Sequence, residues 1–441
     1  MSGGRTPAVR RARALSGEFA PPGDKSITHR AVLFGMLAEG ETSIFGPNAG
    51  EDCRGTLAAA GRFGARTSRE DSLWRVLGCG GALREPAAEI DCGNSGTMIR
   101  LLAGVAAGQP FVSRLTGDAS LRRRPMARVM EPLLRMGATI VAADGDRPPL
   151  AVHGGALRGI AYDVPVASAQ VSTCVLIAGL QAEGSTSVRL PGPARDHTER
   201  MLPAFGVPLE VTALPGGGRS VTLTGGAPLR ACDVSVPGDF SAAAFLLVAA
   251  AAEPGAEVTV RGVSLNPTRT GLLDVLAAMG AEPSITNARE AAGEPVGDVT
   301  VRGPEVLRPF DIPPEWVPRL VDEVPAWVVL ASAAPGISRV TGAAELRVKE
   351  SDRIVALARN LAACGIVARE LPEGLEVHGG AARGARIEAH LDHRIVMTFA
   401  ALGARTATPM TFDDVGSVET SFPGFFNTLA ALGADVEEGA A

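Results

Sequence analysis

One short pattern occurs six times along this chain of 441 residues: an apolar helical run ends at a glycine, and a strand-like segment follows. A glycine directly after a helix is typical of a left-handed helix end, so each copy predicts a helix C-terminus followed by a strand. The glycines are 68 to 85 residues apart, which indicates six structural units of similar size. They are Gly64, Gly137, Gly206, Gly280, Gly365 and Gly433.

A second feature lies upstream of each of these glycines: a polar or glycine-containing turn that leads directly into an apolar helical run. Ser, Asp and Asn in such turns accept hydrogen bonds from the free N–H groups of a helix start. Each unit is therefore expected to contain two helices and several strands. The six turns are at Lys25-Ser26, residues 93–97, 168–170 and 238–241, Asp322-Glu323, and residues 392–394.

The two halves of the chain resemble each other. Pro-Gly-Asp-Lys-Ser at residues 22–26 returns as Pro-Gly-Asp-Phe-Ser at residues 237–241. With three units in each half, this repeat predicts two similar domains, one formed by residues 1–22 together with 238–441 and the other by residues 23–237. Hinges are expected near Pro22-Gly23 and Pro237-Gly238, and the N-terminal arm is expected to pair with the second half of the chain.

The composition excludes several classes of protein. With 46% apolar and 20% charged residues the chain is not disordered, and a net charge of -6 argues against nucleic-acid binding as its main function. The six cysteines are far apart and form no Cys-x-x-Cys pair, which argues against a zinc ribbon or a disulfide scaffold. We find no apolar stretch that would span a membrane and no secretory signal, so we expect a cytoplasmic protein with no nucleic-acid or membrane partner.

Only two of the 42 Lys and Arg residues are lysines, Lys25 and Lys349. Where arginine serves as the general cation, a remaining lysine suggests a need for a compact, titratable ammonium group. The alternative is that two lysines remain by chance, and their surroundings decide between the two explanations.

Lys25 lies in the first polar turn, where the helix start favours bound anions. Arg30 follows Ser26 by four residues and so shares its helix face. The segment is not a Walker loop, because Asp24 stands where that motif requires glycine. We therefore expect an anion site here, and not an ATPase loop.

Two more segments could bind anions. Gly93-Asn94-Ser95-Gly96-Thr97 lets a ligand approach a helix start closely, although a structural turn explains it equally well. Arg124, before Pro125 in an arginine-rich loop, could bind a carboxylate or phosphate with two parallel hydrogen bonds, although such loops are often simply solvated.

The segment from Glu345 to Arg353 is the most informative. Alternation through residues 347–349 predicts the end of a strand, and Ser351 and Asp352 are expected to cap a helix that runs from Arg353 to Asn360. Lys349 beside Glu350 suits proton transfer, whereas an exposed ion-pair patch is the alternative. A further helix start contains His393 and Arg394. His393 is either a catalytic residue or a structural helix cap.

Taken together, these motifs resemble the 5-enolpyruvylshikimate-3-phosphate synthase family of enolpyruvyl transferases, from about residue 16 to residue 436. The motifs, in chain order, are Pro-Gly-Asp-Lys-Ser at 22–26, Gly-Asn-Ser-Gly-Thr at 93–97, Arg-Arg-Pro at 123–125, Ser-Ala-Gln at 168–170, Arg-Val-Lys-Glu-Ser-Asp-Arg at 347–353 and Asp-His-Arg at 392–394. The resemblance implies an α/β fold of two domains, each built from three βαβαββ repeats as an inverse α/β barrel, with two hinge strands between them.

The resemblance also implies a reaction: transfer of the enolpyruvyl group of phosphoenolpyruvate to the 5-hydroxyl of shikimate 3-phosphate, with release of phosphate and without a metal or organic cofactor. The chain is expected to act as a monomer. The implied shikimate 3-phosphate ligands are Lys25, Ser26, Arg30, Ser168, Ala169, Gln170, Arg195, Asp322 and Lys349. The implied phosphoenolpyruvate ligands are Lys25, Gly96, Arg124, Gln170, Arg353 and Arg394.

The same resemblance implies the catalytic roles. Asp322 would accept the proton of the 5-hydroxyl, and Glu350 would carry a proton to and from the methylene carbon through a tetrahedral ketal phosphate. Lys25 would neutralise the leaving phosphate, and Lys349 would complete the catalytic set.

Three positions depart from the family pattern. Thr420 stands where many members have a lysine, Ala169 replaces a second serine, and Ala194-Arg195-Asp196-His197 replaces a segment with serine and tyrosine, so that Arg195 is expected to bind phosphate instead. Gly96 leaves room for the inhibitor glyphosate, and we expect the enzyme to be sensitive to it.

Two other functions are compatible with parts of the sequence. The enolpyruvyl transferase that acts on UDP-N-acetylglucosamine uses a loop cysteine as its acid, but the loop before Pro125 contains arginines and no cysteine. A DNA clamp, also an acidic ring of repeated α/β units, would need basic residues along helix faces. Here the notable cations are at helix starts instead.

Overall fold

The computed structural model describes residues 7–437, which form two compact units. The first unit contains residues 7–22, 237–290 and 295–437 of this range, and the second contains residues 23–236 and 291–294. Pro237 thus lies in the first unit, and the short segment 291–294 lies in the second. Each unit has its own hydrophobic core.

The helices in the described range are α1 (Lys25–Leu37), α2 (Glu51–Arg62), α3 (Gly96–Ala107), α4 (Ala127–Met136), α5 (Ala169–Leu180), α6 (His197–Met201), α7 (Phe240–Ala251), α8 (Gly271–Ala278), α9 (Val324–Ala333), α10 (Arg353–Ala363), α11 (His393–Gly403) and α12 (Phe425–Leu432). None of them is long and apolar enough to cross a membrane.

The strands are β1 (Ala8–Arg10), β2 (Ser16–Phe19), β3 (Glu41–Phe45), β4 (Arg66–Arg69), β5 (Leu73–Leu77), β6 (Ile90–Asp91), β7 (Val112–Thr116), β8 (Thr139–Ala143), β9 (Arg147–His153), β10 (Leu157–Arg158), β11 (Ala161–Asp163), β12 (Ala182–Glu183), β13 (Ser185–Leu190), β14 (Glu210–Ala213), β15 (Arg219–Thr224), β16 (Val234–Ser235), β17 (Glu257–Ser264), β18 (Ser284–Ala291), β19 (Glu294–Arg302), β20 (Ile337–Val340), β21 (Ala368–Leu371), β22 (Gly374–His378), β23 (Arg386–Ile387), β24 (Thr411–Phe412) and β25 (Asp435–Glu437).

The six glycines have the conformation that the sequence pattern predicts. All of them have positive φ, from 81° at Gly206 to 121° at Gly433. Each follows a helix end and precedes a strand, as Gly64 does between α2 and β4. Because a side chain strains this backbone conformation, glycine is the favoured residue at each end.

The expected helix starts are also confirmed. Five of the six polar turns cap their helix with a side chain, as when Asp24 accepts a hydrogen bond of 2.9 Å from the Ile27 N–H at the start of α1. The other four caps are Ser95, Ser168, Asp239 and Asp392. The sixth helix, α9, starts at Val324 without a side-chain cap.

The repeated unit is βαβαββ, as the resemblance implied. In the second unit β6, α3, β7, α4, β8 and β9 follow one another, and their sheet has the order β6-β7-β9-β8. The first two strands are parallel and the other pairs are antiparallel. The order β11-β13-β15-β14 repeats this arrangement, and so does β2-β17-β19-β18 in the first unit. Within residues 7–437 all sheets are open and have two to four strands.

In some repeats the first strand of the sheet comes from a distant part of the chain. In the second unit β16 pairs in parallel with β3, and in the first unit β2 pairs in parallel with β17. The N-terminal arm also contributes β1, which pairs with β25. At the point where the arm ends, the Asp239 N–H donates a hydrogen bond of 2.8 Å to the Pro22 carbonyl.

One helix of each repeat is buried along its length. All twelve residues of α7 are buried, and so are eleven of the thirteen residues of α1. A helix that is apolar on all sides belongs in a core. The contact between α3 and α5 is so close that a Cβ added at Gly104 would lie 2.4 Å from the Cys174 carbonyl oxygen.

We predict that Gly104→Ala lowers the free energy of unfolding by about 1–3 kcal/mol, because the added methyl group overpacks a backbone contact. Gly55→Ala in α2 is the matched control, since its Cβ would meet only Met98 Sδ at 3.4 Å. In the control, the free energy of unfolding should increase by at most about 1 kcal/mol, because alanine favours a helix more than glycine does. Calorimetric unfolding of both variants checks this, and equal effects would contradict the close helix contact.

Candidate active site

The second unit contains one group of the sequence-predicted residues, at the starts of α1, α3 and α5 and in two loops. Arg30 is the centre of its first cluster. The guanidinium donates to Thr198 Oγ1 at 2.8 Å, to Thr173 Oγ1 at 2.7 Å and to the Ser26 carbonyl at 2.9 Å. Thr173 and Thr198 lie 2.7 Å apart, so helices α1, α5 and α6 meet at this cation.

Arg30 is only 3% exposed, and all of its hydrogen-bond partners are neutral oxygens. Burial lowers the pKa of Arg30 to about 10; Glu199, Asp24 and Glu294 oppose this shift, and Arg195 adds to it. A buried cation without a bound carboxylate gains free energy from an anionic ligand. This cluster is therefore suited to a phosphate group.

Lys25 is the first residue of α1, and its side chain is 17% exposed. Its Nζ donates to Asp52 Oδ2 at 3.2 Å, and Asp52 is in the first turn of α2. The neighbouring His29 adds no positive charge at neutral pH, because burial, together with Lys25 and Arg30, lowers the pKa of its imidazole to about 3.

A second cluster in this unit joins Gly96, Arg100, Arg124 and Gln170. Arg100 Nη1 donates to Gln170 Oε1 at 2.6 Å and to the Gly96 carbonyl at 3.3 Å, and Arg124 donates to Asn94. A Cβ at Gly96 would lie 2.9 Å from Arg100 Nη1 and 3.0 Å from Arg124 Nη1. The glycine thus lets two guanidinium groups approach a helix start.

Helix α5 connects the two clusters. Gln170, in its first turn, belongs to the second cluster, and Thr173, one turn later, contacts Arg30 of the first. Ser168 caps the helix, and Ala169 is its first residue. Arg195 is half-buried before α6, and its charge acts on Arg30, so it belongs to the first cluster.

The first unit contains the other group of predicted residues, with Arg353 at its centre. Arg353 is 1% exposed and donates to Asp392 at 2.8 Å and to Glu350 at 2.5 Å, while Asp322 lies 3.6 Å away. Burial disfavours its charge, but Asp392, Glu350 and Asp322 together raise the pKa of Arg353. Arg353 in turn lowers the pKa of Asp392, although burial opposes this.

Lys349 and Arg394 both adjoin Asp322. Lys349 Nζ lies 3.5 Å from Asp322 Oδ1 and 3.1 Å from Glu345, and Arg394 Nη1 donates to the Asp322 carbonyl at 2.5 Å. The Lys349 side chain is 21% exposed. The five predicted residues of this unit therefore form one cluster: Asp322, Lys349, Glu350, Arg353 and Arg394.

The local structure around Lys349 differs from the prediction. Residues Ala344–Val348 form a 3₁₀ helix, so the predicted strand end at 347–349 is wrong. The strand pairing of this region ends at Val340, and three alternating residues are too few to specify a strand. Asp352 caps α10 as expected, but the helix continues to Ala363, and the Ser351 hydroxyl donates to Asp392 at 2.9 Å.

Arg100, Asp392 and Asp52 lie in these clusters but were not among the predicted site residues, and the same holds for Thr173 and Thr198 beside Arg30. Arg100 interrupts an otherwise apolar helix, a signal that could have identified it. Asp392 lies in the Asp-His-Arg motif, in which only the arginine was predicted to bind a substrate. No sequence pattern marks Asp52. Thr420, at the position where a lysine was expected, donates to the Ser417 carbonyl at 2.7 Å.

The two groups differ in charge. In the second unit Arg30 donates to neutral oxygens, and Arg100 and Arg124 donate to the side-chain amide oxygens of Gln170 and Asn94, which suits the binding of anions. In the first unit carboxylates and cations alternate at short distances, which suits proton transfer near bound anions. Among residues 7–437 no group of His, Cys, Asp or Glu has the arrangement of a metal site.

We predict that Asp392→Asn costs about 3 kcal/mol of unfolding free energy at pH 7, because it leaves Arg353 buried with less compensating charge. Since the pKa of Asp392 is lowered on folding, its contribution is present above the usual value of about 3.9 and is lost as the pH falls through the lower folded pKa.

Denaturant unfolding between neutral and acidic pH checks this prediction. The difference between wild type and Asp392→Asn should narrow below about pH 4. Asp71→Asn, a change at an exposed turn, is the control and should cost little at any pH. A difference that does not vary with pH would contradict the assignment.

Comparison with known proteins agrees with this arrangement. The sequence model of the family "EPSP synthase (3-phosphoshikimate 1-carboxyvinyltransferase)" matches residues 9–429. The 3-phosphoshikimate 1-carboxyvinyltransferase of Xanthomonas euvesicatoria pv. vesicatoria is 52% identical over 425 residues, which cover 96% of this chain and 95% of the relative. That of Xanthomonas campestris pv. campestris is 52% identical over 428 residues, 96% of each chain.

A solved structure is also similar. The EPSP synthase of Acinetobacter baumannii superimposes with a TM-score of 0.86 at 41% identity, and the match covers 98% of this chain and 100% of that one. A family match over nearly the whole chain, relatives at this identity and the βαβαββ repeats lead to one conclusion: the chain belongs to the EPSP synthase family.

Proposed function

We propose that this chain transfers the enolpyruvyl group of phosphoenolpyruvate to the 5-hydroxyl of shikimate 3-phosphate, releasing phosphate. The observation that carries the proposal is Arg30, a buried guanidinium held by neutral oxygens only. Family membership supplies the reaction, and Arg30 supplies a reason for this chain to bind a phosphorylated substrate.

Nine residues are proposed to hold shikimate 3-phosphate. Arg30 and Arg195 face its phosphate, supported by Lys25 and by Ser26, Ser168, Ala169 and Gln170 at two helix starts. Because Ala169 has no hydroxyl, its contribution is the backbone N–H at the start of α5. Asp322 and Lys349 contact the ring hydroxyls.

Phosphoenolpyruvate is held by a different set. Arg124 and Lys25 bind it beside Gly96, where the absence of a side chain lets the guanidinium groups of Arg100 and Arg124 approach the helix start. Gln170 contributes an amide, and Arg353 and Arg394 contribute further cations. Planar guanidinium groups match the geometry of carboxylate and phosphate.

The reaction proceeds by addition and elimination. Asp322 accepts the proton of the 5-hydroxyl as the hydroxyl oxygen attacks C2 of phosphoenolpyruvate, and protonated Glu350 gives its proton to the methylene carbon, which yields a tetrahedral ketal phosphate. Phosphate then leaves, neutralised by Lys25, and a proton of the new methyl group returns to Glu350. The hydroxyl proton held by Asp322 leaves with the phosphate, so both carboxyl groups regain their starting states. Positioned charges and two proton transfers suffice, so the reaction needs no cofactor. The enzyme acts as a monomer in the cytoplasm.

Phosphate release from phosphoenolpyruvate tests the proposed function. We expect release that depends on shikimate 3-phosphate and does not respond to UDP-N-acetylglucosamine. The reverse dependence would assign the chain to the sister transferase, and release that ignores both acceptors would overturn the proposal.

The same assay tests Lys25. We predict that Lys25→Arg folds but loses on the order of 100-fold or more in kcat, because a planar guanidinium cannot replace a compact ammonium beside the leaving phosphate. Arg66→Lys, a change at the exposed edge of β4, is the control and should keep full activity. Near-normal rates for Lys25→Arg would mean that Lys25 is not catalytic.

Gly96 makes a separate prediction about glyphosate. Wild type should be inhibited, and Gly96→Ala should raise the inhibition constant about tenfold or more, because the added methyl group competes for space that the ligand uses. The nearest atoms to the new Cβ are the ends of two flexible guanidinium side chains, so the fold should tolerate it. Unchanged inhibition of Gly96→Ala would contradict the placement of Gly96 in the phosphoenolpyruvate site.

A further inference from the structure

Glu294 is a buried carboxylate at the tip of a long hairpin. It is the first residue of β19, and residues 291–294 belong to the second unit. Glu294 is 1% exposed, and its Oε1 lies 2.7 Å from Nδ1 of His197, which is fully buried. A buried carboxylate needs polar partners, and the imidazole of His197 is one partner of Glu294.

The turn that carries Glu294 fits closely against α6. Its two central residues, Ala292 and Gly293, have φ of 50° and 78°, as expected for a two-residue turn between antiparallel strands. Arg200 Nη1 donates to the Gly293 carbonyl at 3.0 Å. A Cβ at Gly293 would lie 2.8 Å from the Arg200 carbonyl oxygen, so only glycine allows this approach.

Helix α6 carries groups of the Arg30 cluster. His197 is its first residue, and the next residue, Thr198, accepts a hydrogen bond from Arg30 Nε. Arg195 lies two residues before His197, and its carbonyl accepts from Arg219 at 2.9 Å. Whatever fixes the start of α6 therefore also fixes the positions of Arg30 and Arg195.

The contact of Glu294 with His197 is made through Nδ1 of the ring. A carboxylate can only accept hydrogen bonds, so a hydrogen bond to a Glu294 carboxylate requires the proton on Nδ1. Nε2 of His197 has no hydrogen-bond partner in the described part of the chain. Glu294 is thus the group that orients this ring.

The charge of Glu294 also acts on the cluster. Burial is the main influence on the pKa of Arg30 and lowers it. Glu199, Asp24 and Glu294 raise it, and Arg195 lowers it further. Glu294 therefore has two effects. It contacts and orients His197, and its negative charge helps keep the buried guanidinium of Arg30 charged.

We propose that Glu294 and His197 form a positioning pair for the substrate phosphate: they fix the start of α6, so that Arg30 and Arg195 are held in the orientation that binds shikimate 3-phosphate. This inference rests on the proposed function. Neither residue touches the substrate; Glu294 acts through His197, and His197 acts through Thr198 and the preceding turn.

Steady-state kinetics of Glu294→Gln tests the pair. We expect the KM for shikimate 3-phosphate to rise about tenfold, the value of one lost charge-assisted hydrogen bond. The kcat and the KM for phosphoenolpyruvate should stay within about twofold of wild type, a smaller change than one lost hydrogen bond produces. Glu290→Gln is the matched control: it makes the same change on β18 of the same hairpin, at an exposed position, and should leave all constants unchanged.

Variants of His197 keep the test valid if Glu294→Gln folds poorly. His197→Asn retains an N–H donor near the position of Nδ1 and should bind shikimate 3-phosphate nearly as well as wild type, whereas His197→Leu should raise its KM as Glu294→Gln does. In the Glu294→Gln/His197→Leu double variant the KM should not exceed that of the worse single variant, because both act through one contact.

Two results would overturn the inference. One is an unchanged KM for shikimate 3-phosphate in the folded variants, including the case in which only the apparent kcat falls with the folded fraction. The other is an effect in the double variant equal to the product of the single effects. If wild type and Glu290→Gln themselves show no release that depends on shikimate 3-phosphate, the proposed function fails together with the inference. An active wild type with an unaffected Glu294→Gln overturns the inference alone.

Discussion

The burial of one helix in each repeat is the constraint on which the site depends. Helix α7 is buried over all of its residues, and α1 over nearly all, so these helices cannot carry solvated polar groups along their length. Polar side chains remain at the helix starts, where free N–H groups need acceptors. The caps Asp24, Ser95, Ser168 and Asp392 satisfy these groups and leave the next residues available for chemistry. The same packing that makes the cores stable thus concentrates function at a few helix starts.

The two units use this common plan in opposite electrostatic ways. In the second unit the buried Arg30 is held by hydroxyl and carbonyl oxygens, so its charge is available to a ligand. In the first unit the buried Arg353 is neutralised by Asp392 and Glu350, and the carboxylate of Asp322 lies near Lys349. A phosphate is bound best by cations without carboxylate partners, whereas a proton is moved best where carboxylates and cations balance each other. The buried arginines of the two units therefore differ in their partners: Arg30 has neutral ones and Arg353 has carboxylates.

Local rules predicted much of this from the sequence. The sequence pattern correctly predicted the six glycines at helix ends. It also correctly predicted helix starts at or next to Lys25, Gly96, Arg353 and Arg394, because helix capping depends on residues close in sequence. The strand predicted at residues 347–349 was wrong, since strand formation requires a partner, and the region forms a 3₁₀ helix instead. Arg100 and Asp392 were not singled out, because their importance comes from contacts with Gln170 and Arg353, 70 and 39 residues away.

The sequence by itself determined the number of repeats, the ends of most helices and which groups are candidates for binding anions, because each of these follows from residues within one or two helical turns. Tertiary structure alone decided which of those groups are buried, which are neutralised and which are held by neutral oxygens. It also decided that residues 291–294 contribute Glu294 to the second unit, opposite His197, almost a hundred residues earlier in the chain. Burial and the pairing of charges are properties of distant segments brought together, and no local pattern in the sequence specifies them.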